Sequence, residues 1–296
     1  MTGPVVVPPR PFAADLLSLT KPRIISLLLV TTAMPMYAAG SPDLLTVVLV
    51  MVGGYLMAGG ANAVNMYFDR DIDDVMARTR TRPLPSGRMA PASVLAFGMA
   101  SATAATFLLG RFVNVTSAAL ALGGFYTYVF VYTRWLKRTT PQNIVLGGAA
   151  GAFPPLVGWA AVTGTVDLRG MLLFLIVFYW TPPHFWALAL NKQVDYGNAG
   201  VPMAPNVWGT RETIDQILWY SILLVALTLI PACIGMLGLP YLGAALVLGG
   251  WFLHAAWRVW RQRDTGQWSA PAWKLYKFSL LYLALLFAAM AVDRHL

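Results

Sequence analysis

Long apolar runs alternate with short polar segments along the whole chain. Nine of these runs approach or exceed the roughly 20 mostly apolar residues that a helix needs to cross a bilayer. They cover residues 24–40, 44–67, 90–109, 114–133, 143–163, 170–190, 214–236, 238–257 and 275–292. The pattern predicts an all-α integral membrane protein with nine transmembrane helices, built as an N-terminal tail (1–18) and a single membrane domain (19–296).

Composition excludes an ordinary soluble domain. Of the 296 residues, 58% are hydrophobic and only 11% are charged, whereas soluble domains carry roughly 25% charged residues. The net charge of +9 would suggest a nucleic-acid partner in a soluble protein. In a membrane chain it reflects orientation, so we expect the lipid bilayer as a partner and no nucleic acid.

The basic residues predict that orientation. All of the 21 lysines and arginines except Arg111, Arg169 and Arg294 fall in the tail and in alternate loops. The positive-inside rule then predicts a cytoplasmic N-terminus and an external C-terminus, and an eight-span count would destroy the alternation. The first residues lack the pattern of a cleaved leader or transit peptide, so we expect the plasma membrane of a bacterium.

The stretch "NAVNMYFDRDIDDVMARTRTRPLPSG" brings charge to the cytoplasmic end of the second span. Asn65, Asp69 and Asp73 have i, i+4, i+8 spacing, which places them on one helix face, and Asn62 joins them. Charge at this depth is costly and usually functional. Oxygen ligands of this kind suit Mg²⁺ shared with phosphate oxygens. The competing interpretation is a solvated helix end whose acids pair with nearby arginines.

A second acidic segment, "NKQVDYGNAGVPM", follows the sixth span. It has Asn191 and Asp195 at i, i+4 spacing, with Lys192 between them. The two segments are four spans apart and lie on the same predicted side. We therefore expect two four-helix pseudo-repeats plus a final helix, with the two acidic segments facing one diphosphate through Mg²⁺.

Basic residues near these segments suit phosphate oxygens, which arginine binds in a forked geometry. The predicted diphosphate-binding residues are Lys21, Arg78, Arg80, Arg82, Arg134, Lys137 and Lys192. The alternative is that basic residues here only set the orientation of the chain in the membrane. We prefer this alternative for Arg261, Arg263, Lys274 and Lys277.

The N-x-x-x-D-x-x-x-D motif after span two and the acidic motif after span six resemble the UbiA-type intramembrane prenyltransferases. The stretches "LTKPRIISLLLVT", "YTRWLKRTTPQNIVLGG" and "WTPPHFWALAL" look more specifically like the haem-farnesylating branch, the protoheme IX farnesyltransferases. The resemblance runs from Leu19 to Asp293. One departure is Asn191, since many members of the wider family carry Asp there, and this puts a second metal ion in doubt.

The resemblance implies a reaction and a set of residue roles. Farnesyl diphosphate would bind through Mg²⁺, a vinyl group of haem b would attack the allylic cation, and water would complete haem O. Asp69, Asp73 and Asp195 would be catalytic. The metal, bound through the diphosphate, would be held by Asn62, Asn65, Asp69, Asp73, Asn191 and Asp195. Haem A synthase or oxidase assembly factors would be partners.

The stretch "FYWTPPHFW" places two prolines, Pro182 and Pro183, late in the sixth span, where we expect them to interrupt its hydrogen-bond ladder. The resemblance implies that His184, Trp180 and Tyr132 contact the haem or the allylic cation. The faces of aromatic rings stabilise such a positive charge. The alternative is an interfacial aromatic belt with a hydrogen-bonded histidine.

A glycine pair, Gly147 and Gly151, has the GxxxG spacing that favours close packing of membrane helices. A flat wall for a porphyrin is the alternative.

Two other functions remain open from the residues alone. A cation-coupled transporter also uses paired acidic sites, although it would place its carboxylates near the bilayer midplane. A prenyltransferase acting on an aromatic or quinone-precursor acceptor would share the whole diphosphate site. Only the stretches that resemble the haem-farnesylating branch argue against it.

Overall fold

The computed structural model describes residues 11–296. Within that range, nine helices are long and apolar enough to cross a membrane. They are α2 (Pro22–Ala39), α3 (Leu44–Phe68), α5 (Pro91–Phe112), the span Val115–Thr139, α8 (Asn143–Thr163), α9 (Leu168–Leu190), α12 (Thr210–Cys233), α13 (Leu239–Trp260) and α14 (Ser269–Asp293). The predicted all-α membrane architecture with nine spans is confirmed. Residues 1–10 lie outside the described residues. They include Arg10, which we counted among the cytoplasmic basic residues, and the stretch in which we expected no leader peptide.

Short helices flank the spans. They are α1 (Phe12–Thr20), α4 (Arg70–Val75), α10 (Gln193–Asn198) and α11 (Ala204–Val207). The fourth span consists of α6 (Val115–Tyr126), a π-helical segment (Thr127–Leu136) and α7 (Lys137–Thr139).

The spans pack in chain order and form a closed ring. Each span contacts the next one, and the last, α14, packs against the first, α2. In addition, α2 crosses to α8, the first helix of the second half, and α9 contacts α14. Spans one to four and spans five to eight each pack in chain order, which is the arrangement that two four-helix units and a final helix produce.

The closest approach between the halves lies at Gly158 of α8. A Cβ atom built there would collide with the carbonyl oxygen of Thr32 in α2. Gly147 instead faces a ring, because a Cβ there would overlap Tyr132, whereas nothing lies within 4 Å of a Cβ at Gly151. The close packing predicted for the glycine pair is therefore confirmed at Gly147 only.

The sixth span is one helix, α9, which continues through Pro182 and Pro183 to Leu190. Because proline has no amide hydrogen, the helical ladder lacks the two bonds that these residues would donate. Membrane helices tolerate such local gaps because neighbouring groups satisfy the freed backbone carbonyls.

The π-helical segment is an element that the apolar pattern did not predict. Its wider turn allows the hydroxyl of Thr133 to donate to the carbonyl of Tyr128, five residues earlier, over 2.8 Å. Such segments are rare and often mark functional sites. This one faces the polar end of α3, as described below.

Helix α1 begins at Phe12, inside the region predicted as a tail. Its Asp15 is buried and accepts two hydrogen bonds from Arg88, at 2.9 and 3.0 Å. The bidentate pair ties α1 to the loop that follows α4, so the N-terminal helix is part of the packed domain.

Candidate functional site

The first acidic segment forms where α3 passes into α4. The amide of Asp69 donates to the carbonyl of Asn65 over 2.9 Å, and the amide of Asp73 donates to that of Asp69 over 2.7 Å. The helical turns therefore continue across the junction, and the predicted i, i+4, i+8 face is kept. All three side chains are buried, with the two aspartates each only 2% exposed.

Each of these three side chains has a cationic partner. The ammonium of Lys21 donates to Asn65 Oδ1 over 2.9 Å, and that of Lys137 donates to Asp69 Oδ2 over 2.6 Å. The guanidinium of Arg82 donates to Asp73 Oδ2, also over 2.6 Å. Buried carboxylates need such partners, since an uncompensated buried charge is strongly destabilising. Three of the predicted diphosphate-binding residues thus converge on the acidic face.

The amide of Asn65 connects this row. Its Nδ2 donates to Asp69 Oδ2 over 2.7 Å and to Thr133 Oγ1 over 3.0 Å. Thr133 belongs to the π-helical segment and is fully buried. The fourth span therefore holds the acidic face in place through Thr133 and Lys137. Thr133 was not predicted, because a threonine in an apolar run carries no functional signal.

Lys21 has an unusual backbone conformation and an unusual charge environment. It adopts φ 55° and ψ 62°, a left-handed conformation rare for residues other than glycine, between α1 and α2. Burial, together with the neighbouring Arg82 charge, lowers the pKa of Lys21 to about 7, although Asp73 and Asp69 act to raise it. The ammonium lies where additional negative charge would stabilise it.

The oxygen atoms of the acidic face suit a hard divalent cation. Asp69 Oδ1 is buried without a hydrogen-bond partner, and the guanidinium of Arg138 lies 3.7 Å from it. Within residues 11–296, no three His, Cys, Asp or Glu side chains are grouped closely enough to hold a metal ion by themselves. A metal here would take its remaining ligands from water or from a phosphate, which is the coordination Mg²⁺ prefers.

Arg138 extends the charged surface outward. It binds Asp71 bidentately at 2.7 and 2.8 Å, and this hydrogen bonding lowers the pKa of Asp71 to about 2. Neither residue was among the predicted site residues.

The second acidic segment is only partly arranged as predicted. Asp195 is partly exposed and lies 3.9 Å from Lys192. Both polar ends of Asn191 serve the fold, since Nδ2 donates to the Ala187 carbonyl at 3.1 Å and Oδ1 accepts from Ser269 at 2.6 Å. Asn191 is therefore engaged within the fold, and its metal-holding role stays a prediction.

The two acidic segments lie side by side at one end of the bundle. A pocket of about 310 Å³ separates them. Its walls are Asp71, Ile72, Val75 and Arg138 from the first segment and its neighbours, and Asn198, Ala199, Gly200 and Val201 from the second. Burial raises the pKa of Tyr196, an effect that Arg78 and Arg82 oppose and Asp195 adds to. Charges from both segments therefore meet at this tyrosine.

The other predicted site residues divide into near and distant ones. Arg78 is exposed but acts on Tyr196, as noted above, while Arg80 has no ion-pair partner among the described residues. Asn62 donates to the carbonyl of Thr20 over 2.8 Å and so anchors α1. Arg134 is exposed, its guanidinium lies 5.3 Å from the ring centre of Phe68, and within residues 11–296 no hydrogen bond or ion pair joins it to the acidic face.

His184 lies in a stacked aromatic group between α9 and α14. Its ring is 4.2 Å from that of Trp180 and 4.9 Å from that of Tyr276. Nδ1 is 2.6 Å from the hydroxyl of Ser279, whose carbonyl accepts a hydrogen bond from the Trp180 indole at 2.9 Å. Nε2 makes no hydrogen bond within residues 11–296. Ser279 and Tyr276 were not predicted, since nothing in the sequence connects them to His184.

Tyr132 belongs to a second aromatic group on the π-helical segment. Its ring stacks on that of Tyr128 with centres 5.8 Å apart. The hydroxyl of Tyr128 donates toward Asn62 Oδ1 over 3.4 Å. The pair therefore lies beside the acidic face, while His184 and Trp180 lie on the α14 side of α9.

Comparison with known proteins agrees with this arrangement. The UbiA prenyltransferase family profile matches residues 26–291. A protoheme IX farnesyltransferase of Roseiflexus sp. (strain RS-1) is 54% identical over 99% of this chain, which spans only 55% of that relative. The chain thus spans about half the length of this and similar relatives. A protoheme IX farnesyltransferase of Granulibacter bethesdensis is 47% identical, with 95% of this chain and 91% of the relative aligned.

Solved structures show the same fold at low sequence identity. A digeranylgeranylglyceryl phosphate synthase superposes with a TM-score of 0.74 and 18% identity, over 95% of this chain and 98% of that one. A UbiA homologue from Archaeoglobus fulgidus, bound to GPP and Mg²⁺, gives 0.64 and 16%, over 93% and 99%. Together with the match over nearly the whole chain, these findings show that the chain belongs to the UbiA prenyltransferase family.

Proposed function

We propose that the chain transfers a farnesyl group from farnesyl diphosphate to a vinyl group of haem b, with addition of water, to give haem O and diphosphate. The observation that carries the proposal is the buried row in which Asn65, Asp69 and Asp73 meet Lys21, Lys137 and Arg82. Relatives of matching length named protoheme IX farnesyltransferase support the choice of prenyl donor and acceptor.

The cations of this row would bind the diphosphate. Lys137 and Arg82 are preorganised by carboxylates and Lys21 by the amide oxygen of Asn65, so a phosphate oxygen can replace each of these oxygens without much movement of the side chain. Charge-assisted bonds of this kind are strongest when both partners are ionised. Fixed cations favour departure of the diphosphate, because they stabilise the charge that develops on the leaving oxygens.

Asn65, Asp69 and Asp73 would hold Mg²⁺ together with oxygens of the diphosphate, and the unpaired Asp69 Oδ1 supports this fit. Bound Mg²⁺ would neutralise charge on the leaving group. The A. fulgidus homologue bound to GPP and Mg²⁺ supports metal use in this fold.

Asp195 and Lys192 would meet the same headgroup from the second acidic segment, together with Arg78 and Arg80. Asn62 would act indirectly by anchoring α1, and with it Lys21.

In the chemical step, the bond between C1 of the farnesyl group and the diphosphate oxygen breaks. A vinyl carbon of haem b forms a new bond to C1, and water adds its oxygen to the other vinyl carbon and releases a proton. The aromatic face of Tyr132, beside the acidic face, would stabilise the allylic cation, while Trp180, stacked on His184, would contact the haem. Apolar walls would limit its premature capture by water.

His184 would contact the haem. Its ring is held by Trp180, Tyr276 and Ser279, which leaves Nε2 for the substrate, either for iron or for a propionate. We propose further that the active site faces the cytoplasm at a bacterial plasma membrane, and that haem A synthase or oxidase assembly factors receive the product.

The acceptor is tested by competition. The purified protein is given farnesyl diphosphate and Mg²⁺ with equimolar haem b and 4-hydroxybenzoate, and the products are resolved by mass. We expect haem that carries one farnesyl group and one water, and no product when EDTA is present. A prenylated benzoate without a haem adduct would overturn the acceptor and leave the diphosphate chemistry intact, while no diphosphate release with either acceptor would favour a transporter.

A further inference from the structure

A second pocket lies beside α9, away from His184. It has a volume of about 220 Å³ and is lined by Gln142, Trp186, Trp208, Glu212, Gln216 and Tyr220. This is several times the roughly 30 Å³ that one water molecule occupies. Trp186 is two residues from His184, so the two side chains leave α9 on nearly opposite sides. The pocket is therefore distinct from the proposed haem contact.

Three aromatic rings form its wall. Trp186 meets Trp208 edge-to-face, with ring centres 5.7 Å apart, and meets Tyr220 in the same way at 5.4 Å. Trp186 is only 1% exposed, and its indole nitrogen has no hydrogen-bond partner among the described residues. Perpendicular rings of this kind present several π faces to one small volume, which is how proteins recognise alkylammonium groups.

The pocket also contains a carboxylate without a cationic partner. Glu212, the only glutamate in the chain, accepts a hydrogen bond from the amide of Gln216 over 2.9 Å. Within residues 11–296 it forms no salt bridge, whereas its neighbour Arg211 pairs with Asp264 at 3.5 Å. An exposed carboxylate next to aromatic faces supplies the negative charge that an ammonium group needs.

The position of the pocket points to a lipid as the source of that group. Gln142 precedes the start of α8, Trp186 lies one turn before the end of α9, and Glu212 lies in the first turn of α12. The pocket therefore lies at the membrane-surface level of the bundle. On α12, the row Glu212, Gln216, Trp219 and Leu223 continues toward the bilayer along one face, and its two apolar members are exposed at 62% and 48%.

We propose that this pocket binds the ammonium group of a phospholipid headgroup while the acyl chains lie along the exposed face of α12. Glu212 faces the positive charge, Trp208 and Tyr220 cover it, and the exposed apolar residues below it contact hydrocarbon. This assignment is independent of the prenyl-transfer proposal, because none of its residues belongs to the acidic row.

Native mass spectrometry of the full chain tests the assignment. The protein in a maltoside detergent is titrated with dioleoyl phosphatidylethanolamine or with dioleoyl phosphatidylglycerol, which have the same acyl chains but differ in the ammonium group. We expect the ethanolamine lipid to bind at least about threefold more tightly. Glu212→Gln and Trp208→Leu should each weaken it by roughly threefold to tenfold without changing the glycerol lipid.

Asp74→Asn is the matched control, because it removes the same charge from an exposed site that forms no ion pair within residues 11–296, and it should leave both affinities unchanged. Equal binding of the two lipids by the unmodified chain would overturn the proposal, and so would equal losses in Glu212→Gln and Asp74→Asn. Soluble phosphoethanolamine that displaces the lipid at similar concentration would overturn the lipid as the source. The comparison of lipids on the unmodified chain remains decisive if a variant fails to fold.

Discussion

Single residues in the acidic row act in pairs whose members have opposite charge. Asp69 and Asp73 are almost completely buried, and their partners Lys137 and Arg82 are themselves mostly covered. Breaking such a pair by removing one partner costs about 3–5 kcal/mol, since it leaves a charge in a poorly solvating environment. Bound phosphate and metal would preserve charge balance, which explains why a protein can keep these charges in its interior.

Replacement of Lys137 tests which basic residues bind the diphosphate and which only set the orientation of the chain in the membrane. We expect Lys137→Gln to lower kcat/KM for farnesyl diphosphate by roughly tenfold to a hundredfold, because it removes a charge-assisted donor beside Asp69. Arg134→Gln, three residues earlier and stacked on Phe68, should stay within about twofold of the unmodified protein. Thermal denaturation of both variants controls for folding. Equal losses in the two would contradict the assignment.

Removal of the His184 side chain should affect the acceptor and not the donor. We expect His184→Ala to weaken haem binding by roughly tenfold or more, while farnesyl diphosphate binding is unchanged, since His184 lies on the α14 side of α9. Absorption titration with haem measures the first and calorimetry with the diphosphate the second. His254→Ala, at an exposed position, is the control, and unchanged haem affinity in His184→Ala would dispose of the contact.

The acidic row was predictable because its members are regularly spaced in one short stretch of polar sequence. Lys21 and Lys137 were predicted from their side of the membrane alone. The Asp15–Arg88 pair was not, because 73 residues separate its members and each looks like an ordinary charge at a membrane surface. Asn191 and Arg134 have the correct residue type but face other parts of the structure, which spacing cannot reveal.

Among the elements, apolar length predicted the spans well but could not predict their internal geometry. The fourth span is apolar on most sides. The hydropathy of residues 127–136 therefore does not distinguish an α-helix from the π-helix that they form. The wider turn contains a hydrogen bond from the Thr133 hydroxyl to the Tyr128 carbonyl, which hydropathy does not reveal.

The π-helical segment and α8 fit together at one glycine. We expect Gly147→Ala to destabilise the protein by about 1–3 kcal/mol and to reduce turnover, because its new methyl group would displace the ring of Tyr132. Gly151→Ala, one turn further along the same face, has open space around it and should be neutral for stability. Differential scanning fluorimetry compares the two, and equal stability would contradict the predicted role of this contact.

The whole molecule is a ring of spans with both acidic segments and their cationic partners at one end. Nine spans and the repeated acidic segments were predictable from hydropathy and charge. The pairing of α2 with α8 was not, since it depends on the close approach at Gly158, whose sequence context resembles that of many other glycines. The volume available to a prenyl chain depends on such contacts, so the sequence does not specify chain length.

Orientation can be measured on the whole protein in cells. In a Cys233→Ser background, we expect Thr81→Cys to react with a membrane-impermeant maleimide only in inverted vesicles, because it follows the first acidic segment. Ser41→Cys, in the loop between α2 and α3, should react only in intact cells. Both positions are exposed, so access is decided by the side of the membrane, and the reverse labelling would contradict a cytoplasmic active site.

The central claim is that the acidic row holds the diphosphate for transfer of the prenyl group. The most direct measurement compares Asp69→Asn with Asp74→Asn. Asp69 is buried in the acidic row, whereas Asp74, five residues later, is exposed. Diphosphate release and haem adduct formation are followed together, with farnesyl diphosphate, Mg²⁺ and haem b. We predict that Asp69→Asn lowers both by about a hundredfold or more while Asp74→Asn stays near the unmodified rate. Equal activity in the two variants, with both folded, would contradict the claim.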